Sequence, residues 1–561
     1  MAHEIKSGKL EIKKVFEQWY RVPEYQRPYV WEDAQVLELL EDISNSAKNN
    51  KDSEYFLGSI VYQTVKKNSN GLEYEENDLL DGQQRLTTLL IIMAVIRDLE
   101  KDKNRGRYDT CQKSLYQKEN KDDNIPERLR IVFDIRDEVR DFVNNYIKTE
   151  GKTLSEDIKD ISLKSEDISI KNISKAILTI RDYFEKNKNI DEFFPYLRNK
   201  VLMIYVASED LQDAFRLFTI LNNRGMKLRN SDILKAENLR LIKDKSKIKE
   251  YAKLWEEIEN EFGEDFDEFI SHIRTILAKD KALKNLLDEF EEKIYKKGIL
   301  KKGIDTFELI KKYHGYYDDL FEKSSYDLTK SYEFDNLLSI MGEVAPSKIW
   351  VPVLLKYYDK FKKKELFIFL KKLDNKFSYD WINQTTPTKR IENMNSIIKK
   401  IEEVKTEQEL FNSEVFKIDT DNMMKLISGP MYDKAYGRYL LYKLDYLFGS
   451  KGQNLKVPKA ISVEHILPQN PKKDSNWVIN FSESDRKEWT DKIGNLVLIS
   501  RRKNASQGNL DYAEKKEKYF KKNIESFPNV LRILSNNQWT TKELKENQDL
   551  VINKIKEYYE A

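Results

Sequence analysis

The stretch LLDGQQRLTT, Leu79 to Thr88, decides how the first half of this chain is read. An apolar run stops at an acid and a glycine. Two amides and an arginine follow, and then a long apolar helix begins. Segment 73–80 reads as a strand and Thr87–Leu99 as a buried helix, so the polar cluster sits at a strand-to-helix corner. A glycine there lets backbone N–H groups approach an anion closely. Arg85 adds a fork of donors for a phosphate. Gln83 and Gln84 can contact sugar, base or phosphate. Asp81 can accept a ribose hydroxyl, orient Arg85 or hold Mg²⁺. These are the demands of nucleoside triphosphate binding, although the stretch lacks the GxxxxGK[ST] pattern of a Walker A loop. An acid–glycine turn with a capped helix is also a frequent structural device, and spacing leaves both readings open.

Around this corner, FLGSIVYQ (56–63) and VLMIYVAS (201–208) read as buried strands. Helices are predicted over 34–48, 211–222 and 230–243, the last two separated by NNRGMKLR. Residues 1–245 therefore read as a mixed α/β domain with more helix than strand. Residues 246–400 carry amphipathic helical runs such as WEEIENEF and ELFIFLKKLDNKF, which read as a helical linker region. Residues 401–561 begin with helices and change character at VPKAISVEHILPQ; a strand, IGNLVLIS, a polar loop, RRKNASQGN, and a lysine-rich helix over 511–522 follow. The fold class read from the whole is α+β and mostly helical.

The chain has 561 residues, enough for roughly three or four domains. Its formal net charge of +2 favours no partner by itself, so local patches must decide. Cys111 is the single cysteine, which excludes an internal disulfide and a multi-thiolate zinc site. The start, MAHEIKSGKLEIKK, lacks the apolar core of a signal peptide, and the longest apolar run falls far short of the roughly 20 residues of a membrane span. A cytoplasmic protein with no membrane partner is expected.

One of the four histidines stands in distinctive company. Glu464-His465 precedes Pro468, and Asn495 and Asn504 follow in order. A metal-assisted nuclease needs hard ligands for a divalent cation, a base for water and cations on the phosphate. Glu464 can ligate, His465 can be the base, Asn504 can supply an amide oxygen, and Asn495 can hold the imidazole in one tautomer. Arg501, Arg502, Lys503, Lys515 and Lys516 can form a phosphate-binding rim. His3, His272 and His314 lack such company and read as structural or solvated. A lone acid–His pair is ordinarily a surface or core pair; four ordered elements in roughly 50 residues resemble the HNH, or ββα-metal, nuclease motif, here EHILP, IGNLVLI, NASQGN and YAEKK. Glu464 stands where many such sites have Asp.

The corner also has companions: VPEYQRPYVW (22–31) and AFRLFTILNNRGMKLRNSDILKAENL (214–239). With DGQQRLT they resemble the N-terminal domain of the GmrSD family of type IV, modification-dependent restriction endonucleases, whose C-terminal domain is an HNH nuclease. The resemblance covers both ends of the chain, about two-thirds of it. It implies a ParB/sulfiredoxin-like nucleotide-binding domain over 1–245, a helical region over 246–400 and an HNH nuclease domain over 401–561. It places Asp81, Gly82, Gln83, Gln84 and Arg85 in a nucleotide loop, with Gln26 and Arg27 as neighbours; Asn222, Arg224 and Gly225 are nucleotide contacts or a helix-capping turn. Tyr25, Tyr29 and Trp31 are base-stacking groups or core aromatics. The implied cofactors are Mg²⁺ or Mn²⁺ and a nucleoside triphosphate. The implied partner is double-stranded, modified phage DNA, with a homodimer compatible. The rival readings are an NTP-driven DNA-binding regulator with an inactive HNH site, a purely structural DNA-binding adaptor, and an HNH-type RNase toxin.

Overall fold

A computed structural model describes residues 5–23, 26–69, 72–120, 122, 127–134, 137–209, 229–322, 332–450, 452, 454–455, 461–500, 509–521 and 527–560. The chain is mostly helical with an α+β N-terminal region, and it divides into two compact units: 1–261 with 302–304, and 262–301 with 305–561. Among the described residues, no helix is long and apolar enough to cross a membrane.

The first unit is built on a mixed six-stranded sheet. Its strands are β1 (Ile5–Glu11), β2 (Tyr20–Val22), β3 (Tyr55–Ser69), β4 (Leu72–Asp81), β5 (Ile131–Phe133) and β6 (Val201–Ser208), in the order β1-β6-β3-β4-β2-β5. β3 pairs antiparallel with β4 and parallel with β6, and its register shifts at Phe56/Gly58 and at Val61/Tyr62. β3, β4 and β6 contain the expected strands. β1, β2 and β5 were not legible in the sequence, because β1 is a polar edge strand carrying Lys6 and Lys9, and the other two are three residues each. Helices α1 (Asp33–Asn49), α2 (Gln83–Glu100), α3 (Ile168–Asn187) and α4 (Asn230–Leu239) belong to the same unit. α2 is apolar nearly all round, and a helix of that kind has to be buried. Leu89 to Ile96 are buried without a break in its core. The expected helix over 211–222 lies outside the described residues.

In the second unit, α5 (Leu366–Ile382), α6 (Gly437–Phe448), α7 (Tyr512–Lys521) and α8 (Thr541–Glu560) accompany a two-stranded antiparallel hairpin, β7 (Ile461–His465) and β8 (Leu496–Ser500). Asp374 of α5 sits at the centre of this packing. Its carboxylate accepts bonds from Tyr439 and Lys443 of α6, and from Tyr558 of α8 at 2.8 Å. Asp374 and Lys443 are fully buried, so each charge depends on the other. Burial pulls the Lys443 ammonium below its ordinary range, and Asp374 opposes that pull.

Removing one partner of a buried pair leaves an uncompensated charge. Lys443→Met is therefore expected to destabilise the second unit by about 3–5 kcal/mol. Chemical denaturation of the full chain, followed by a probe in that unit, should show its transition moving to lower denaturant. An unchanged midpoint would contradict the dependence of these helices on the pair.

Candidate functional site

Two clusters carry chemistry, one in each unit. In the first, β4 ends at Asp81, and Gly82 caps α2 with φ +87°. A Cβ at Gly82 would lie 2.6 Å from Ile60 Cγ2 and 3.1 Å from Ser59 O, so both the turn and the close approach of β3 require glycine. Arg85, one turn into α2, reaches back to β3, where Nη1 donates to Ser59 O at 3.1 Å. Room for this comes from Gly58: an added Cβ would stand 1.9 Å from Arg85 Nη1, at φ +122°. Gly58 is the position beside Arg85 that the sequence reading missed; only its place in an otherwise β-branched and aromatic strand signalled it. Arg85 Nη2 lies 3.8 Å from Asp81 Oδ2, beyond a hydrogen bond, and Asp81 Oδ2 is buried without a hydrogen-bond partner. Burial raises the Asp81 carboxyl pKa, while Arg85 and the Gly82 N–H pull it down.

The three glutamines do something different from what was expected of them. Gln26 Nε2 donates to Leu79 O (2.8 Å) and Leu80 O (3.1 Å). Gln83 Nε2 donates to Arg27 O at 2.8 Å. Gln84 Nε2 donates to Pro28 O at 2.9 Å, and its Oε1 accepts from Val30 N and Trp31 N. These amides satisfy backbone groups where VPEYQRPYVW crosses the strand-to-helix corner, and an irregular segment has no ladder to satisfy them otherwise. Arg27 pairs with Asp232 Oδ2 at 2.5 Å, and Asp232 also accepts the Arg229 N–H in front of α4. Tyr29 is a core residue whose hydroxyl meets Thr88 Oγ1 at 2.8 Å, and Trp31 packs against the same core. Tyr25, Asn222, Arg224 and Gly225 lie outside the described residues.

In the second unit the β7–β8 register sets Leu496 opposite His465 and Val497 opposite Glu464. Lys515, on the inner face of α7, is 2% exposed. Its ammonium donates to Glu464 Oε1 and His465 O at 2.7 Å, and to Ile466 O at 3.2 Å. The expected place of Lys515 on a phosphate rim is corrected by this burial. Helical spacing puts it one turn from buried Tyr512, facing the hairpin rather than solvent. Lys516 is half-buried and donates to Asn536 O at 2.9 Å. Arg501, Arg502, Lys503 and Asn504 lie outside the described residues.

His465 Nε2 lies 2.9 Å from Asp491 Oδ1, and the Tyr432 ring covers the imidazole with centroids 4.3 Å apart. Burial pushes the imidazole pKa below its ordinary value, while Asp491 pulls it up. The ring is therefore neutral at pH 7, as a proton acceptor must be. Asn495 does not touch the ring through these bonds: its Oδ1 accepts from Leu467 N at 2.8 Å, and its Nδ2 donates to Leu467 O and Thr490 O. It clamps the end of β7 to the turn before β8, and orienting the imidazole falls to Asp491. The sequence signal for Asp491, an acid shortly before Gly-Asn-Leu, is too common to have been singled out. Gly494 lies so close to α8 that a Cβ would come within 2.7 Å of Gln548 Cα.

The chain matches the GmrSD restriction endonuclease N-terminal domain over residues 8–239 and the GmrSD restriction endonuclease C-terminal domain over residues 354–554. The chain belongs to the GmrSD restriction endonuclease family. The corner falls within the first match and the hairpin, with His465 and Asp491, within the second. Membership implies nuclease activity on DNA. A comparison with curated proteins finds none that matches. Of the residues outside both clusters, Cys111 is buried and its thiol is pushed up to about 12, so it offers no thiolate at neutral pH. His272 is likewise buried and held neutral, its pKa lowered to about 3 by desolvation.

Asp491→Asn keeps a hydrogen-bonding group beside His465 but removes the charge. DNA cleavage is expected to fall roughly 10- to 100-fold, as for other groups that orient a reactive side chain. The sign of the pH effect follows from the direction of each influence. Asp491 raises the His465 pKa against desolvation, so removing it lowers that pKa, and the acid limb of the pH–rate profile should move to lower pH. A rate loss without that displacement would reduce Asp491 to a packing role.

Proposed function

We propose that this chain is an NTP-dependent DNA endonuclease that restricts modified phage DNA. The observation that carries the reading is the neutral, buried His465 backed by Asp491 on the β7–β8 hairpin of a restriction-endonuclease family chain. His465 takes a proton from water through the ring nitrogen that Asp491 does not engage, and Asp491 stabilises the imidazolium that results. Asn495 and Lys515 both hold the end of β7 on which it stands, as positioning residues. The donor chemistry fits a hard divalent cation, because Glu464 offers a carboxylate oxygen and Asn504 would add an amide oxygen. When bound, Mg²⁺ or Mn²⁺ there would neutralise charge on the scissile phosphate and its leaving oxygen. Arg501, Arg502 and Lys503 are the cations left to contact the DNA backbone.

The DGQQR corner is the proposed nucleotide site. Asp81 and Arg85 are its chemical groups, and Gly82 frees the N-terminal N–H groups of α2 for a phosphate. Gln26, Gln83 and Gln84 shape it by holding the neighbouring segment. Arg27 braces it through Asp232; Asn222, Arg224 and Gly225 are nucleotide contacts or a helix-capping turn. On this reading residues 1–245 sense nucleotide and DNA in a ParB/sulfiredoxin-like arrangement, 246–400 form the helical linker, and 401–561 cut in a ββα-metal arrangement.

His465→Ala is expected to lower DNA cleavage by about 10²–10⁴ or more while nucleotide hydrolysis continues. Plasmid nicking and phosphate release, measured on one preparation with RNA as a parallel substrate, test this. Cleavage by the variant at the wild-type rate would remove His465 from the chemistry, and a substrate limited to RNA would favour the toxin reading.

Arg85→Ala is expected to cost about tenfold to a hundredfold in nucleotide affinity, since charge-assisted bonds of a guanidinium are worth roughly 1.5–3 kcal/mol each. Arg85→Lys should rescue only in part, because a point charge does not reproduce the fork. Thermal shift with and without NTP reads the difference. A folded Arg85→Ala chain that still gains full stabilisation from NTP would contradict phosphate binding by this residue.

A further inference from the structure

The turn that carries Asp491 and Asn495 is itself held by a distant part of the chain. Asp491 reaches the His465 imidazole, and Asn495 clamps Leu467 just after β7. Gly494 stands between them, and side chains of α8 take both of its backbone groups. Gln548 Oε1 accepts from Gly494 N at 2.7 Å. Asn547 Nδ2 donates to Gly494 O at 2.5 Å. Two consecutive residues, 53 and 54 positions further along, thus grip one point of the turn. The approach leaves no room for a side chain, since a Cβ on Gly494 would stand 2.9 Å from Gln548 N.

The grip is buried, and its orientation is fixed. Asn547 and Gln548 are each 5% exposed, so the bonds they make are costly to leave unmade. Asn547 Oδ1 accepts from Arg532 Nη2 at 2.6 Å. A guanidinium only donates, so the Asn547 oxygen faces Arg532 and its NH₂ group faces Gly494 O. The same Arg532 nitrogen donates to Asn529 Oδ1 at 2.7 Å, and Asn529 N donates to Asp445 of α6 at 2.8 Å. Near its other end α8 is tied to the core by Tyr558 and Asp374. The start of the turn is held separately, because Met431 N donates to Asp491 O at 2.7 Å. A side chain that orients a reactive group has to be held to within a fraction of an ångström, and supporting bonds of this kind do so.

We propose that Asn547 and Gln548 are positioning residues for DNA cleavage, acting through Gly494 to set where the Asp491 carboxylate meets His465. The proposal rests on the reading of His465 and Asp491 as the cutting pair. It makes α8 part of the cutting machinery, although these two side chains bond the turn and not the imidazole. The place of the grip distinguishes it from general packing: the gripped residue adjoins the clamp on Leu467 and lies three positions from the group that orients the imidazole.

The test is a double-mutant cycle on the full chain, read as cleavage of modified phage genomic DNA in Mn²⁺ with nucleoside triphosphate. Asn547→Asp is nearly isosteric; it keeps an acceptor for Arg532 and sets a second acceptor against Gly494 O. Gln548→Met removes the acceptor for Gly494 N at similar volume. Each should lower kcat roughly 10-fold and leave KM within about twofold, as loss of support for an orienting group does. In an Asp491→Asn background the same substitutions should lower kcat by less than about twofold, because the carboxylate they aim is already gone. Packing alone predicts the full loss in both backgrounds. The two variants alter opposite sides of the grip, so if thermal melting shows one of them unfolded, the other completes the cycle. Equal losses in both backgrounds, or wild-type kcat in both single variants, would overturn this proposal, while slow cleavage by His465→Ala leaves the nuclease reading standing. Wild-type cleavage by His465→Ala and Asp491→Asn, or no cleavage of any DNA by the unsubstituted chain, would overturn both.

Discussion

The ammonium of Lys515 governs the β7–β8 hairpin. It is buried, and a buried ammonium has to be met by acceptors or it neutralises or leaves the core. It is met by the Glu464 carboxylate and by the carbonyls of His465 and Ile466. Those bonds fasten α7 to the last turn of β7, which fixes where Glu464 and His465 stand relative to each other. Burial works against both members: the Glu464 carboxyl is raised and the Lys515 ammonium lowered, each partly restored by its partner. A pair held in this balance is poor evidence for stability and better evidence for geometry. The imidazole is then oriented from the other side by Asp491, and the backbone between them is clamped by Asn495.

The corner in the first unit obeys a comparable constraint on backbone groups. The segment 26–31 is irregular, so its N–H and C=O groups have no ladder partners, and Gln83 and Gln84 supply them from the first turn of α2. Gln26 closes the loop by returning to the end of β4. The motif's amides are thereby occupied in construction, which leaves Asp81 and Arg85 as the proposed chemical groups of the corner. Both keep unusual surroundings: a buried carboxylate oxygen without a hydrogen-bond partner, and a guanidinium lying where only Gly58 leaves space.

Much of this was legible because it rested on local pattern. The strands over 56–63, 73–80 and 201–208 announced themselves by β-branched and aromatic runs, α2 by its unbroken apolar face, and the hairpin by the order EHILP then IGNLVLI. What was illegible depended on contacts distant in sequence. Lys515 read as a surface cation because its partner, Glu464, lies 51 residues away. Asp491 was passed over because the turn that brings it to the imidazole is not visible in composition. The glutamines read as ligand contacts because nothing in DGQQR shows that residues 27–31 run beside it. β1 and β2 were missed because edge position and shortness remove the alternation that identifies a strand.

The central claim is that nucleotide binding in one unit licenses DNA cleavage by the other. It is tested most directly by incubating the full chain with phage genomic DNA, with and without base modification, in Mg²⁺ or Mn²⁺ and with each nucleoside triphosphate in turn. The account predicts fragmentation of a modified genome only when metal and at least one nucleoside triphosphate are both present. Equal cutting of every genome with and without nucleotide, or no cutting of any genome under any of these conditions, would contradict it.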